Sequence, residues 1–221
     1  MTARASPVAR TAGFTLVELL VALVVMALLS LMSWRGLDGM VRTQAATQAR
    51  SDDLLALQSG LAQWDFDLDA MADVPVPRAW SGQSLRIVRY NGATATAGLH
   101  VVAWARREVG GVAQWLRWQS PVVQSQAQLQ AAWNVAGQWA QNPGEEARRR
   151  EVSITPLADW QVFYYRGDAW SNPSSSSASG AAVGTAAPDG VRLVLTLPAG
   201  GAVSGVITRD WVRPTFSAGK S

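Results

Sequence analysis

Apolar residues are spread along this chain in three successive textures. The first is a continuous run. Phe14 to Met32 is 19 residues, almost wholly apolar, without Pro or Gly and with one charge, Glu18. A hydrocarbon core about 30 Å thick takes about 20 residues of helix, so the run can just span a bilayer. Residues 42–53 are polar but still helix-compatible. From Leu54 the second texture begins. Leu54, Leu57, Leu61, Trp64, Leu68 and Met71 recur at steps of three and four, one stripe on a helix. Asp65, Asp67 and Asp69 fall largely off that stripe and read as its solvated face. Pro75 and Pro77 stop the pattern. Together, Phe14 to Ala72 predicts one helix of about 90 Å if unbroken. Gly36 and Gly39 are points where it is weakened or bent.

After the prolines, alternation takes over. Strands are expected at 85–90, 99–105, 112–118, 152–154, 160–166, 191–197 and 203–212. Gly110-Gly111 and Gly200-Gly201 read as hairpin turns. Residues 122–140 predict a short helix with Leu129, Trp133 and Ala136 on one face, ended by Asn142-Pro143-Gly144. Glu145 to Glu151 reads as a charged, solvated loop. Residues 171–190 are rich in Ser, Gly and Ala and read as a flexible loop, and 216–221 as a tail. One long helix followed by strands with a single embedded helix is an α+β pattern. The helix stripe is expected to lie on an antiparallel sheet.

Charge adds an orientation. Arg4 and Arg10 precede the run, and no acidic residue precedes Glu18. By the positive-inside tendency the N-terminus stays cytoplasmic and the rest is exported. Trp34 and Arg35 suit the far membrane interface. The formal net charge of +3 falls to about +1 without Arg4 and Arg10. No Lys/Arg cluster carries interleaved aromatics, so nucleic-acid binding is not indicated. Cysteine is absent, and a domain of this size buries its own core without disulfides. The eleven Trp point to large buried areas and to interfaces.

The search for reactive chemistry is mostly negative. His100 is the one histidine, so neither a zinc site nor a His-based triad is supported, and a structural or surface role is expected. Asp65, Asp67 and Asp69 lack the Gly and distal Glu of an acidic metal loop. Trp160, Phe163, Tyr164, Tyr165 and Trp170 fit core and subunit contacts better than a sugar platform. No catalytic residue, metal or cofactor is assigned. Glu18 is the anomaly. A carboxylate in lipid costs about 2.5–3.5 kcal/mol on insertion scales, so it either snorkels to the headgroups or is paired.

Gly13-Phe14-Thr15-Leu16-Val17-Glu18, followed at once by an apolar run, resembles the class III signal of type IV pilins and type II secretion pseudopilins. The resemblance implies that a prepilin peptidase cuts between Gly13 and Phe14 and N-methylates Phe14. It also implies that Glu18 pairs with the N-terminal amine of a neighbouring subunit. Such pairing would offset the cost of a carboxylate in the bilayer. Here the leader precedes the apolar run, whereas an ordinary secretory signal discards that run.

A narrower resemblance lies in Leu29 to Asp38, with Trp34-Arg35-Gly36-Leu37-Asp38, then Leu54-Leu55-Ala56-Leu57-Gln58 and Asp67-Leu68. These segments are similar to the minor pseudopilin J family of type II secretion, with Trp34 where Tyr is common. That resemblance implies a pilin-like fold and four regions. They are a leader (1–13), a transmembrane helix (14–32), a periplasmic helix (33–74) and a β-rich head (75–221). It implies a non-enzymatic subunit of the inner membrane, N-terminus cytoplasmic and head periplasmic. Its partners would be the prepilin peptidase, the I-type and K-type minor pseudopilins, the major pseudopilin and the assembly platform. The subunit would help start or cap the filament that drives export of folded proteins. A minor type IV pilin is the alternative, and absence of Cys leans away from it. A membrane-anchored periplasmic enzyme or binding protein ranks third, because it gives no reason for Gly13, Phe14 and Glu18 to stand in register.

Overall fold

The computed structural model describes residues 13–76, 79–92, 97–166, 169–173 and 187–214. Arg4, Arg10, Pro77, most of the predicted 171–190 loop and the 216–221 tail lie outside the described residues. The chain divides into two units, residues 1–49 and 50–221.

Helix α1 (Leu16–Asp69) runs from the first unit into the second. It passes Gly36 and Gly39 without a break. Within the first unit every described residue is exposed, including Leu16 to Val41. A stretch of helix that is apolar on all sides, with every described residue of it exposed, suits an apolar surrounding. The helix is long and apolar enough to cross a membrane, which fits single-pass anchoring.

The second unit is an α+β head built from two antiparallel sheets rather than the single sheet expected. In chain order the elements are β1 (Ser84–Tyr90), β2 (Leu99–Val109), β3 (Val112–Gln119), α2 (Gln126–Gln141), α3 (Glu145–Arg148) and β4 (Glu151–Pro156). Then follow β5 (Asp159–Arg166), β6 (Ala169–Ser171), β7 (Gly190–Leu197) and β8 (Gly205–Val212). The first sheet has the order β1-β2-β3-β4 and the second β6-β5-β7-β8. Gly110 and Gly111, at φ 60° and 81°, make the β2–β3 turn, where left-handed backbone is needed at both positions. Gly200, at φ 88°, lies in the β7–β8 connection.

Of the boundaries that differ from expectation, three bear on how the head is built. The 145–151 segment is not a simple solvated loop. It holds α3 and the start of β4, and Glu151 accepts hydrogen bonds from Trp139 Nε1 at 2.7 Å and from Arg107. Ser171 closes β6 and Gly190 opens β7, so the predicted loop is shorter than 171–190. Helix α1 ends at Asp69, ahead of Pro75, because the chain turns there to pair with β1: Tyr90 N–H donates to Ala70 C=O and Ala72 N–H to Val88 C=O.

The last turns of α1 pack on both sheets. Leu57, Trp64 and Leu68 share a core with Leu85, Ile87, Val102, Trp104 and Trp115 of the first sheet and Trp160, Val162, Leu193, Leu195 and Trp211 of the second. Leu54, the first residue of the stripe, stays exposed. Gly60 lets the helix approach: a methyl there would collide with Ile154 Cγ2 and crowd Trp115 Cζ3 at 3.1 Å. Trp64, Trp104 and Trp115 pack as one cluster, with ring centroids 4.7 to 6.2 Å apart. Helix α2 covers the opposite face of the first sheet. Ser125 caps it, and Leu129, Trp133, Ala136 and Trp139 seat against Val88, Val101, Ala103 and Leu116. The two faces of β2 are thus both buried, Val102 and Trp104 towards α1, Val101 and Ala103 towards α2.

The three aspartates of α1 require the largest correction. Asp67 is wholly buried. It accepts a two-pronged bond from Arg117, Nε to Oδ2 at 2.7 Å and Nη2 to Oδ1 at 2.8 Å. Trp104 Nε1 and Gln63 Nε2 donate to it at 3.0 Å each. Arg89 Nε lies 3.2 Å from Oδ1. Burial pushes the Arg89 guanidinium below its usual range; Asp67 opposes that shift and Arg117 adds to it. Asp65 pairs with Arg209 of β8, and Asp69 accepts from Trp211 Nε1 at 2.7 Å. The row read as a solvated face is therefore what ties α1 to the two sheets.

Candidate functional site

The site begins where the helix begins. Gly13, Phe14 and Thr15 are not helical, and α1 starts at Leu16. Among the described residues, and its chain neighbours aside, nothing lies within 4 Å of the position a Gly13 side chain would take, and Phe14 is 88% exposed. The Gly13–Phe14 peptide bond therefore lies in open, non-helical chain just ahead of the helix, a form a peptidase can take hold of.

Thr15 and Glu18 build the helix start. Thr15 N–H and Thr15 Oγ1 each donate to Glu18 Oε2 at 3.0 Å, and Glu18 N–H donates to Thr15 Oγ1 at 3.3 Å. This is a capping box, a Thr at the cap with a Glu three residues on, each bonding the other's backbone N–H. The Thr-x-x-Glu spacing signals it, and the sequence reading of Glu18 as a snorkelling or intermolecular group missed it. Glu18 favours the helix N-terminus for a second reason, since negative charge is stabilised there. Both Thr15 donors use Oε2, and Oε1 takes no hydrogen bond from any described residue. One oxygen holds the helix start while the other remains open to a donor from another chain.

The other residues weighed for chemistry are spent on structure. His100 is buried; Nδ1 meets Ser120 C=O at 2.9 Å and Nε2 meets Asn91 Oδ1 at 3.1 Å. Among the described residues no group of three His, Asp or Glu side chains is set to hold a metal. The aromatic group divides between two faces. Trp160 and Tyr164 enter the core, and burial pushes the Tyr164 phenol well above its usual range. Phe163, Tyr165 and Trp170 are partly exposed; Tyr165 and Trp170 meet at 5.2 Å, with Arg192 over the Trp170 ring at 4.4 Å. Of the eleven Trp, nine lie in the core, Trp34 is 72% exposed and Trp170 half-buried.

No curated protein matches the chain. Residues 9–34 match the prokaryotic N-terminal methylation motif, a stretch that holds Gly13, Phe14, Thr15, Glu18 and the first turns of the apolar helix. The chain thus carries the class III signal of type IV pilins and pseudopilins, which implies processing by a prepilin peptidase and assembly with other pilin-like subunits.

Proposed function

We propose that this chain is a minor pseudopilin of a type II secretion system, of the J type, and that it acts by assembly rather than by catalysis. The observation that carries the reading is the register of Gly13, Phe14 and Glu18 ahead of an uninterrupted, fully exposed apolar helix. Leu29 to Asp38 and the 54–58 segment support the narrower assignment to the J type. The peptidase hydrolyses the Gly13–Phe14 bond; water supplies a carboxylate to Gly13 and an amine to Phe14. A methyl donor bound by the peptidase then transfers its methyl group to the Phe14 nitrogen, which loses a proton as the new N–C bond forms and the donor's bond to that carbon breaks. The new amine is cationic and sits next to a helix start, where its charge is unfavourable. Glu18 Oε1 of a neighbouring subunit neutralises it through a charge-assisted hydrogen bond, in a medium where an unpaired charge is costly. The N-terminus lies on the cytoplasmic side of the inner membrane and the head in the periplasm, where it helps start or cap the filament.

Intact mass and N-terminal sequencing of the chain from native membranes, with and without the prepilin peptidase, test the reading. The expected product is a chain beginning at N-methylated Phe14, formed only when the peptidase is present. An uncut chain, or one cut after residue 32, overturns it. Co-purification with I-type and K-type minor pseudopilins separates secretion from a pilus system, where pilus subunits would be recovered instead.

A further inference from the structure

The two sheets have four outer edges, and three of them are guarded. An open edge presents unpaired N–H and C=O groups, and folded proteins cover it, shorten it or guard it with Pro, charge or bulges. The β1 edge is covered by the chain that leaves α1, through pairing of Met71 with Arg89 and of Trp80 with Leu85. Strand β6 is only three residues long, and the stretch of β5 it leaves uncovered, Asp159 to Phe163, opens on the exposed charge of Asp159. Strand β4 starts at Glu151, ends at Pro156 and faces an irregularity at Trp115/Leu116 of β3. Strand β8 is different. It has eight residues, Gly205 to Val212, with neither Pro nor Lys, and no described segment pairs with its outer side. Its two charges are engaged within the chain, Arg209 with Asp65 and Asp210 with Arg192 at 2.7 Å. Val206 and Val212 are 67% and 63% exposed.

The phase of the edge follows from one bond. Arg213 N–H donates to Asp189 C=O at 2.8 Å, continuing the register in which Val212 opposes Gly190. Hydrogen-bonded and non-bonded pairs alternate along an antiparallel ladder. Residues 207, 209 and 211 therefore bond to β7, while the N–H and C=O groups of Val206, Thr208, Asp210 and Val212 face outward. The same four side chains lie on the sheet face away from α1, because Ile207 and Trp211 belong to the α1 core.

We propose that β8 is a strand-addition site that takes an extended segment of a different protein chain. A backbone edge is chemically specific, since only another extended backbone satisfies its alternating donors and acceptors. Because each β8 charge already has its counter-ion within the chain, the incoming segment needs no charge opposite Arg209 and Asp210. It is apolar at the two positions, six residues apart, that oppose Val206 and Val212. A second copy fits poorly. The antiparallel register that pairs Val206 with Val212 on both sides sets Arg209 against Arg209, and like charges directly opposed destabilise a sheet.

The test uses the full chain in its native membranes, with a photo-crosslinking residue at Val206. A single adduct is expected, mapping by mass spectrometry to an apolar, extended segment of another protein. Thr208→Pro removes one outward N–H without touching the β7 ladder, and should lower the yield about tenfold. Thr208→Ala keeps that N–H and should leave the yield within about twofold. No adduct, an adduct indifferent to Thr208→Pro, or an adduct between two copies of this chain overturns the proposal. Should the proline variant not accumulate, amide exchange of the unaltered chain decides. The amides of 206, 208, 210 and 212 are then protected in membranes and exchange fast after extraction in detergent. Equal exchange in both states overturns the proposal.

Discussion

The first and last thirds of α1 belong to one helix but solve opposite problems. From Leu16 to Ser33 every side chain is exposed, and the one carboxylate, Glu18, is held by Thr15 three residues away. From Leu57 to Asp69 the helix is wedged against two sheets, and its carboxylates are held by residues far off in sequence, Arg117 and Arg209 among them. A local bond lets a segment remain free to bind other chains. Long-range bonds fix a segment in its own fold. The contrast accords with a subunit whose N-terminal helix packs sideways in an assembly while its head stays intact.

The comparison breaks most visibly at Asp67. Asp67→Ala removes the carboxylate and leaves the Arg89 and Arg117 guanidinium groups buried, at 10% and 12% side-chain exposure, without their partner. Breaking a buried pair in this way costs about 3–5 kcal/mol. Urea unfolding of the full chain in detergent, followed by fluorescence of the Trp64–Trp104–Trp115 cluster, should show the loss. Asp65→Ala is the internal control. Its pair with Arg209 is solvent-screened, and about 0–1 kcal/mol is expected. Equal losses at both positions would show that burial does not separate the two carboxylates.

Gly60 comes next. Gly60→Val places methyl groups where Ile154 and Trp115 already stand, and overpacking of this kind costs about 1–3 kcal/mol. Ile154→Ala in the same chain should recover part of that loss, since the clash is shared between neighbours. Strict additivity of the two substitutions in the unfolding midpoints would show that Gly60 is not the point of closest approach.

Much of this was legible beforehand, for identifiable reasons. The steps of three and four from Leu57 to Met71 and the Gly110-Gly111 turn are local patterns, and local patterns survive in the structure. The fate of Asp67 was not legible. On the helix it sits beside the stripe; its burial depends on Arg89 and Arg117, which reach it only after β1 and β3 pair through β2. The split into two sheets was hidden for a similar reason, since alternation marks a strand but not its neighbours. At the site, Glu18 stood out as a charge inside an apolar run, and Gly13, Phe14 and Thr15 through the resemblance of their register to the class III signal. The cap that Thr15 forms was not read from it, although its spacing from Glu18 is a known cap signal.

A smaller effect separates the sheets from the helix they carry. Hydrogen bonding from Arg192 holds the Asp210 carboxyl below its usual range, and the same bond raises the Arg192 guanidinium. A depressed carboxyl contributes stability that is present above its unfolded value, about 3.9, and is lost as the pH falls through the folded one. Arg192→Gln should therefore shift the neutral plateau down slightly and flatten the acid limb, so that the variant and the natural chain converge as the pH falls below about 4. Because the pair is partly solvated, the shift should shrink as salt is added.

The smallest effect on the head, and the sharpest use of the comparison, lies at Glu18. Among the described residues the Glu18 side chain bonds only Thr15, so Glu18→Ala should not move the unfolding midpoint of the head. Assembly should fail, because both the cap and the charge are gone. Glu18→Gln separates the two. A Gln at this position still completes a capping box, but it brings no charge to meet the amine that cleavage creates at Phe14. If the carboxylate serves only the helix start, Glu18→Gln assembles like the natural chain. If it serves the neighbouring subunit, Glu18→Gln is cleaved and inserted normally yet recovered outside the filament, as Glu18→Ala is. Crosslinking yield with other pilin-like subunits, measured beside the unfolding midpoint in the same preparations, distinguishes these outcomes. A free helix should show its defect only between chains, and a wedged one only within its own.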